Sequence, residues 1–152
     1  MKYQASRTLV TYALYAASIL IGSSLLVACN GEQKKKEDEQ AIRLVMEKRA
    51  EAVQTKNIEL YRSLFSPEYN DAGVTLDFVI DNMRKGFDQY DTIKLDYSLS
   101  PITMRITSAR IIHELRYHVS GRQKPILQRE TLSLHKINGQ WLIAGGVDAF
   151  LF

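Results

Sequence analysis

The sequence predicts an α+β domain in which three helices precede an antiparallel sheet. Apolar residues recur with helical spacing as far as Phe87, and after Tyr90 their period changes from about 3.6 to about 2. Asn138-Gly139 separates two alternating stretches and favours a hairpin with a two-residue type I′ turn. Residues 40–152 are long enough for one domain with a single hydrophobic core, and we expect that organisation.

Each predicted helix has one apolar face, which is typical of helices that pack on a sheet. The first covers residues 38–55. The second begins at its N-cap, Asn57, and ends before Pro67, while the third begins at its N-cap, Thr75. The residues expected on the buried faces are Ile42, Val45, Met46, Ala50 and Val53, then Leu60, Tyr61, Leu64 and Phe65, then Leu76, Val79, Ile80, Met83 and Phe87.

Alternation of apolar and polar residues predicts the strands of the sheet. Residues 93–99 form the first strand, and Pro101 interrupts it. Even-numbered apolar residues then resume over 102–106, a change of parity that a bulge or bend would explain. A long strand follows over 110–119, with its odd-numbered residues facing inward.

The closing hairpin, over residues 126–137 and 140–147, has a register that the Asn-Gly turn fixes. Residues that face each other across the pair share one face of the sheet, and the apolar positions of both strands then coincide. The expected pairs are Ile137 with Gln140, Lys136 with Trp141, Leu134 with Ile143 and Leu132 with Gly145.

The first 28 residues have the build of an export signal, with basic Lys2 and Arg7 before a long uncharged apolar stretch. The last residues before and including Cys29, Leu-Val-Ala-Cys, resemble a lipobox, in which the cysteine is lipidated and becomes the new N-terminus. The alternative is an uncleaved membrane anchor, because about 20 apolar residues can span a bilayer. We therefore expect a signal peptide over 1–28 and a lipidated cysteine with a polar tether over 29–39.

Charge and cysteine content indicate which partners and which cellular location to expect. The signal removes two of the 20 basic residues and none of the 17 acidic ones, so the mature chain has a net charge of +1. Such a chain, without a basic stripe, is a poor nucleic-acid binder. Cys29 is the only cysteine, so no disulfide forms within one molecule. Asn30 after the cysteine favours the outer membrane, with the domain facing the periplasm, over the inner membrane.

The order of elements resembles the nuclear transport factor 2 superfamily, including its SnoaL-like and ketosteroid isomerase-like members. The stretch AVQTKNIELYRSLFSPEYND resembles the family's first helix, short second helix and Ser-Pro-x-Tyr turn. The stretch RETLSLHKINGQWLIAGG resembles its closing hairpin. The resemblance implies a curved sheet that forms a cone around the long helix, with a pocket for an apolar small molecule at the open end. Because this fold hosts enzymes, ligand binders and assembly modules, it does not select one function.

On the inward face of the sheet, polar side chains are expected to line this pocket. His113 lies between Ile111 and Leu115, where a histidine must find a partner or stay neutral. It is either a core histidine bonded to a hydroxyl or carbonyl, or a group that orients a ligand or transfers a proton. In the second case His113 and Glu130 are candidate catalytic residues, one or two rungs apart and bridged by Tyr117. The expected pocket residues are Tyr97, His113, Tyr117, Gln128 and Glu130.

Enzymes of the superfamily generally use an Asp–His or Asp–Tyr set, and this chain departs from that pattern. Asp96 points outward by parity and Asp71 precedes the third helix, so no aspartate is expected beside His113. His118 and His135 lie at unrelated spacing on the outer face, so we expect no metal site and no cofactor. The sequence therefore favours a protein that is not an enzyme.

Three functions remain open. The leading expectation is a lipid-anchored envelope protein whose domain binds an apolar small molecule or a protein partner without catalysis. The second is an isomerase- or dehydratase-like enzyme that uses His113 with Tyr117 and Glu130. The third is a structural subunit of an envelope complex. The apolar end, residues 147–152, is expected to pack on the core or to form a lid or a contact in a homodimer.

Overall fold

The computed structural model describes residues 31–148, so the expected signal peptide, Cys29 and residues 149–152 lie outside the described residues. Its described residues fall into two units, one ending at Gln40 and one beginning at Ala41. Residues 31–54 are helical (α1). Within residues 31–148, no helix is long and apolar enough to cross a membrane.

The helix therefore includes residues 31–37, which the sequence reading assigns to a tether before a helix that starts at Asp38. These residues are exposed, as a tether would be, but they are helical. Lys36 lies 3.5 Å from Glu32, and Gln33 donates a hydrogen bond to Glu37. Glu, Gln and Lys have good helix propensity, and interacting side chains four residues apart stabilise a helix further.

The end of α1 and the start of the next helix are set by local hydrogen bonds. The Asn57 N–H donates to the carbonyl of Ala52 at 2.8 Å, and Lys56 takes a left-handed conformation with φ 53°. The side chain of Asn57 then accepts from the Leu60 N–H at 2.9 Å and caps helix α2, Ile58–Ser63. The predicted cap at Asn57 is confirmed.

A short hairpin, which the sequence reading did not identify, leads into the third helix. Strands β1 (Asn70–Asp71) and β2 (Val74–Thr75) pair across Ala72 and Gly73, whose φ angles of 50° and 91° are those of a type I′ turn. Thr75 accepts from the Phe78 N–H and caps helix α3, Leu76–Gln89, as predicted.

The main sheet contains strands β3 (Ile93–Leu99), β4 (Thr103–Met104), β5 (Ser108–Val119), β6 (Ile126–Ile137) and β7 (Gln140–Gly145). The strand order is β3-β5-β6-β7, all pairs are antiparallel, and β4 also pairs with β5. The predicted break after β3 is present. Ile106, however, is 85% exposed in a bend outside the strands, so the inward alternation predicted over 102–106 does not extend to it.

The closing hairpin confirms the predicted turn, with positive φ at both Asn138 and Gly139. The predicted pairs are present as far as Leu134 with Ile143, but Gly145 pairs with Ser133 and not with Leu132. A bulge in the register causes the difference. It leaves Gly145 beside Asp71, whose Cγ lies 3.7 Å from the position that a Cβ would occupy.

The core of the second unit lies between the helices and one face of the sheet. Buried residues of α1 and α3 pack in one cluster with the odd-numbered residues of β5, the even-numbered residues of β6 and the odd-numbered residues of β7. Trp141 is buried in this cluster, as its pattern predicts. We call this buried face of β5 and β6 the inner face. It also carries the polar residues of the candidate site.

Candidate functional site

His113 and Glu130 lie directly opposite each other on β5 and β6, and both side chains point to the inner face. Each residue is only 2% exposed. The Nε2 atom of His113 lies 2.8 Å from the Oε2 atom of Glu130. The two residues therefore bond directly. The expectation of a separation of one or two rungs, with Tyr117 as a bridge, is wrong, because residues opposite each other across an antiparallel pair are already within reach.

The third member of the cluster is Arg49 of α1, which is also 2% exposed. Its guanidinium donates two hydrogen bonds to Glu130, from Nη1 to Oε2 at 2.7 Å and from Nη2 to Oε1 at 3.1 Å. This is the two-pronged geometry that makes arginine–carboxylate pairs strong. We call Arg49, His113 and Glu130 the buried triad.

Arg49 is not among the site residues predicted from the sequence, although the sequence contains a signal for it. Arg49 follows Val45 by four positions and precedes Val53 by four, so it occupies the centre of the apolar face of α1. A charged residue at such a position is buried only when it is paired. An arginine in the middle of an apolar helical face therefore predicts a buried acidic partner, here Glu130.

Electrostatics keep Glu130 ionised. Burial opposes its charge and by itself would raise its pKa, but the nearby charge of Arg49 and the hydrogen bonds from His113 and Arg49 outweigh that effect and lower the pKa to about 2. For Arg49, burial alone would lower the pKa, and the charge of Glu130 raises it well above the ordinary value. The pair is therefore charged at neutral pH, with the two charges cancelling.

Two tyrosines lie beside the triad. Arg49 Nη2 lies 3.5 Å from the hydroxyl of Tyr61, and the guanidinium carbon lies 5.9 Å from the centre of the Tyr61 ring. Tyr117 is buried on β5, four residues beyond His113 on the same face. Burial raises the pKa of both hydroxyls, although the charge of Arg49 partly opposes this, so both remain protonated at neutral pH.

The chain after β7 closes over the same region. We call residues 146–148 the closing segment. Its three backbone N–H groups donate to side chains from elsewhere: Gly146 to Asp71 at 2.7 Å, Val147 to the Tyr69 hydroxyl at 3.3 Å, and Asp148 to Glu130 at 3.1 Å. The side chain of Gln128 in turn donates to the Asp148 carbonyl at 3.3 Å.

Gly146 makes this path possible, because its φ is 86° and an added Cβ would lie 2.0 Å from the carbonyl oxygen of Thr131. Glu130 thereby accepts hydrogen bonds from Arg49, His113 and the closing segment. Its two oxygens are the point at which α1, the sheet and the closing segment meet.

Not every polar atom of the cluster is paired. Among the described residues, Arg49 Nε, His113 Nδ1 and Gln128 Oε1 are buried without a hydrogen-bond partner. Each such atom costs about 1–3 kcal/mol if it stays unpaired. Native proteins usually satisfy such atoms with water, an ion or a ligand.

The remaining predicted pocket residue, Tyr97, lies apart from the triad. It is partly buried on β3, opposite Leu115, and packs against the core. Burial raises its pKa, the charge of Glu47 adds to this and the charge of Arg43 opposes it, while Arg49 is not among the causes. Of the five predicted pocket residues, the structure thus brings together His113, Glu130, Gln128 and Tyr117.

The opposite, outer face of the sheet carries charged residues and two shallow depressions. One, of about 280 Å³, is lined by β5 and β6 around Glu114, Arg116, Leu127 and Arg129. The other, of about 190 Å³, lies beside it towards β3 and includes Asp96. Within residues 31–148, no group of three His, Cys, Asp or Glu side chains is arranged to hold a metal ion.

No known family profile matches the sequence, and no curated protein matches it. Solved structures do match. An NTF-2 like protein of unknown function from Shewanella oneidensis MR-1 has a TM-score of 0.61 at 15% identity, over 72% of this chain and 96% of that one. A domain with a cystatin-like fold from Nostoc punctiforme PCC 73102 has a TM-score of 0.62 at 16% identity, over 72% and 75%. The domain has the nuclear transport factor 2-like, cystatin-like fold.

Bd1075 of Bdellovibrio bacteriovorus is also similar, with a TM-score of 0.65 at 15% identity over 76% of this chain. The chain spans only 41% of the length of that protein. At these identities the likeness concerns the fold alone, and the predicted cone of helices on an antiparallel sheet is confirmed.

Proposed function

We propose that the domain binds a small molecule in its cone without catalysing a reaction, and that the mature protein is anchored to a membrane through Cys29. The first part of this proposal, binding without catalysis, rests on the hydrogen bonds and the pKa of Glu130. Its oxygens accept four hydrogen bonds, two from Arg49, one from His113 and one from the Asp148 N–H. With its pKa lowered to about 2, this carboxylate is a poor proton acceptor at neutral pH.

Ligand binding is instead supported by three polar atoms, two of the triad and one of the neighbouring Gln128. Arg49 Nε, His113 Nδ1 and Gln128 Oε1 are polar, buried and unpaired among the described residues. They belong to side chains that are held in place by the ion pair or by the closing segment. Fixed, unsatisfied polar groups surrounded by apolar residues are the usual arrangement of a small-molecule site.

Native mass spectrometry of the full chain, purified from cells in mild detergent, tests this proposal. We expect one small molecule per protein. Gln128→Trp would fill the inner face beside His113 and abolish the complex, whereas Arg129→Trp, the same change at the neighbouring outward position, would retain it. Circular dichroism checks that both variants fold. An unaltered chain that carries no molecule and gains none from N-phenyl-1-naphthylamine would contradict the proposal.

A second candidate is an isomerase- or dehydratase-like enzyme, which the direct 2.8 Å contact between His113 and Glu130 favours. In that case His113 accepts a proton through Nδ1, Glu130 orients its ring, and the protonated Tyr117 hydroxyl serves as a donor. An enzyme of this kind would exchange a carbon-bound proton of the co-purified molecule for deuterium in D₂O. A binding protein would leave the proton in place.

The proposed anchor rests on the match of Leu26-Val27-Ala28-Cys29 to a lipobox. Stable anchoring requires more than one acyl chain, and a fully acylated cysteine supplies three. Intact-mass measurement of the membrane-extracted protein should give an N-terminus at Cys29 carrying diacylglycerol. Cys29→Ser should retain the first 28 residues. An unmodified thiol in the unaltered chain would contradict the anchor and leave the ligand-binding proposal intact.

A further inference from the structure

Two arginines lie beside each other on the outer face of the sheet. Arg116 of β5 is opposite Leu127 of β6. One step along the pair, Glu114 is opposite Arg129, so the two arginines are diagonal neighbours. On one face of an antiparallel pair, such neighbours are about 7–8 Å apart. Two arginine side chains at that spacing are long enough to reach one group placed between them.

The aspartate nearest to this arginine pair is already bonded elsewhere. Asp96 lies directly opposite Arg116 on β3. Its Oδ1 atom, however, lies 3.2 Å from Lys94, and its Oδ2 atom lies 3.2 Å from His118. Both carboxylate oxygens of Asp96 therefore have partners other than Arg116.

Glu114 is the other acidic residue of this region. It lies opposite Arg129 and two positions before Arg116 on the same face of β5. Among residues 31–148, no hydrogen bond or ion pair joins the side chain of Glu114, Arg116 or Arg129 to another residue. The three side chains together carry an excess of one positive charge, and arginine pairs well with the planar oxygens of carboxylates and phosphates.

A depression in the sheet gives this charge a place to hold a ligand. The larger depression of the outer face, about 280 Å³, is lined by Glu114, Arg116, Leu127 and Arg129. Leu127 is 69% exposed, so an apolar surface lies directly beside Arg116. Pockets for drug-sized molecules have volumes of about 300–1,000 Å³, so this depression suits a smaller ligand.

We infer that the larger depression is a second binding site, for a small oxyanion carried on an apolar body. The carboxylate or phosphate group lies between Arg116 and Arg129, and the apolar body covers Leu127. Glu114 limits the site to ligands of low negative charge, because it repels the oxyanion from within the same depression.

This site is independent of the proposed function, because it lies on the opposite face of the sheet from the buried triad. Exposed charges interact weakly in water, so we expect dissociation constants of about 1 mM. A ligand held this weakly is lost during purification. The molecule that is expected to co-purify in the cone is therefore a different one.

Titration of the ¹⁵N-labelled full chain, in mild detergent at low salt, tests the inference by NMR. The probes share one ring and differ in charge: 2-naphthoate, 2-naphthyl phosphate and the neutral 2-naphthamide. We expect 2-naphthoate to shift the Nε–H signals of Arg116 and Arg129 and the amide signals of 114–116 and 127–129. The neutral probe should bind this face at least about fivefold more weakly, since it lacks the charged contact.

Matched variants separate the site from the general charge of the chain. Arg116→Gln should weaken 2-naphthoate binding about fivefold, the loss of one exposed charged contact. Arg110→Gln is the same change at another exposed outward position of β5, outside the depression, and should alter binding less than about 1.5-fold. Glu114→Gln should tighten binding about twofold, because it removes the repulsion.

The outcomes are distinct. Binding of only one of the two anions supports the inference and identifies the preferred group. Equal weakening by Arg116→Gln and Arg110→Gln, or equal binding of 2-naphthamide, would overturn it. Unshifted outer-face signals at about 10 mM 2-naphthoate, tenfold above the expected dissociation constant, would also overturn it. None of these results affects the proposed cone ligand, whose test is the molecule that co-purifies with the chain.

Discussion

Two adjacent rungs of the same strand pair show how burial changes the meaning of a charged pair. His113 faces Glu130 on the inner face, and one residue further along, Glu114 faces Arg129 on the outer face. The inner pair is 2% exposed and is joined by Arg49, whereas the outer pair is exposed to water. The inner charges depend on their partners, while solvent can replace the partners of the outer ones.

The largest effect should come from removing the shared carboxylate. Glu130→Ala leaves the Arg49 charge buried without a counter-ion and should lower the free energy of unfolding by about 3–5 kcal/mol. Glu114→Ala, on the outer rung, should change it by less than about 0.5 kcal/mol. Urea denaturation of both variants measures the difference. Equal losses in the two variants would show that the inner ion pair has no special role in stability.

Lowering the pH should have the second largest effect on stability, and it should act through the inner face. Because the pKa of Glu130 is lowered from 4.5 to about 2 in the folded chain, its contribution is complete above the ordinary value and is lost as pH falls towards 2. That depression corresponds to about 3 kcal/mol. Stability measured between pH 6 and pH 2 should fall accordingly, and Glu130→Gln should flatten this part of the curve. An unchanged curve in Glu130→Gln would contradict the assigned pKa.

The closing segment offers a test of intermediate size. Asp71→Ala removes the carboxylate that accepts the Gly146 N–H at 2.7 Å and should cost about 2 kcal/mol, because hydrogen bonds to charged groups contribute more than neutral ones. Asp88→Ala, at an exposed position of α3, should change stability by less than about 0.5 kcal/mol. Faster hydrogen exchange at Gly146–Asp148 in Asp71→Ala alone would locate the effect. Unchanged hydrogen exchange at these residues would show that the Asp71–Gly146 hydrogen bond does not hold the closing segment in place.

The smallest effect belongs to the outer face. Asp96 is bonded to Lys94 at 3.2 Å and to His118 at 3.2 Å, and all three are exposed. The hydrogen bond from Lys94 is the main cause that lowers the pKa of Asp96. Asp96→Asn should lower stability only slightly at low salt, less than any of the changes above, and 1 M NaCl should abolish the difference by screening. A loss that persists in 1 M NaCl would mean that the outer charges are structural.

Much of the fold is predictable from the sequence, because the signals for it are local. The caps at Asn57 and Thr75, the Asn138-Gly139 turn and the parity of β5 each depend on a few neighbouring residues, and the structure contains them all. The predicted pairing of Leu132 with Gly145 is wrong because of a bulge that the alternation of apolar residues does not reveal.

The candidate site was predictable in part. Parity places His113, Tyr117, Gln128 and Glu130 on one face, but it carries no information about which helix covers that face. Arg49 lies 64 residues from His113 and 81 residues from Glu130 in sequence. Its position within the apolar face of α1 indicates that a partner exists and does not identify it.

By itself, the sequence determined the order of the three helices and of the strands of the main sheet, the inward parity of its long strands and the chemistry available there, because hydrophobic periodicity and turn preferences act over a few residues. Only the tertiary structure decided that Arg49 neutralises Glu130 and that the N–H of Asp148 in the closing segment also bonds to Glu130. These outcomes depend on the packing of α1 against the sheet, which brings together groups that no local pattern relates.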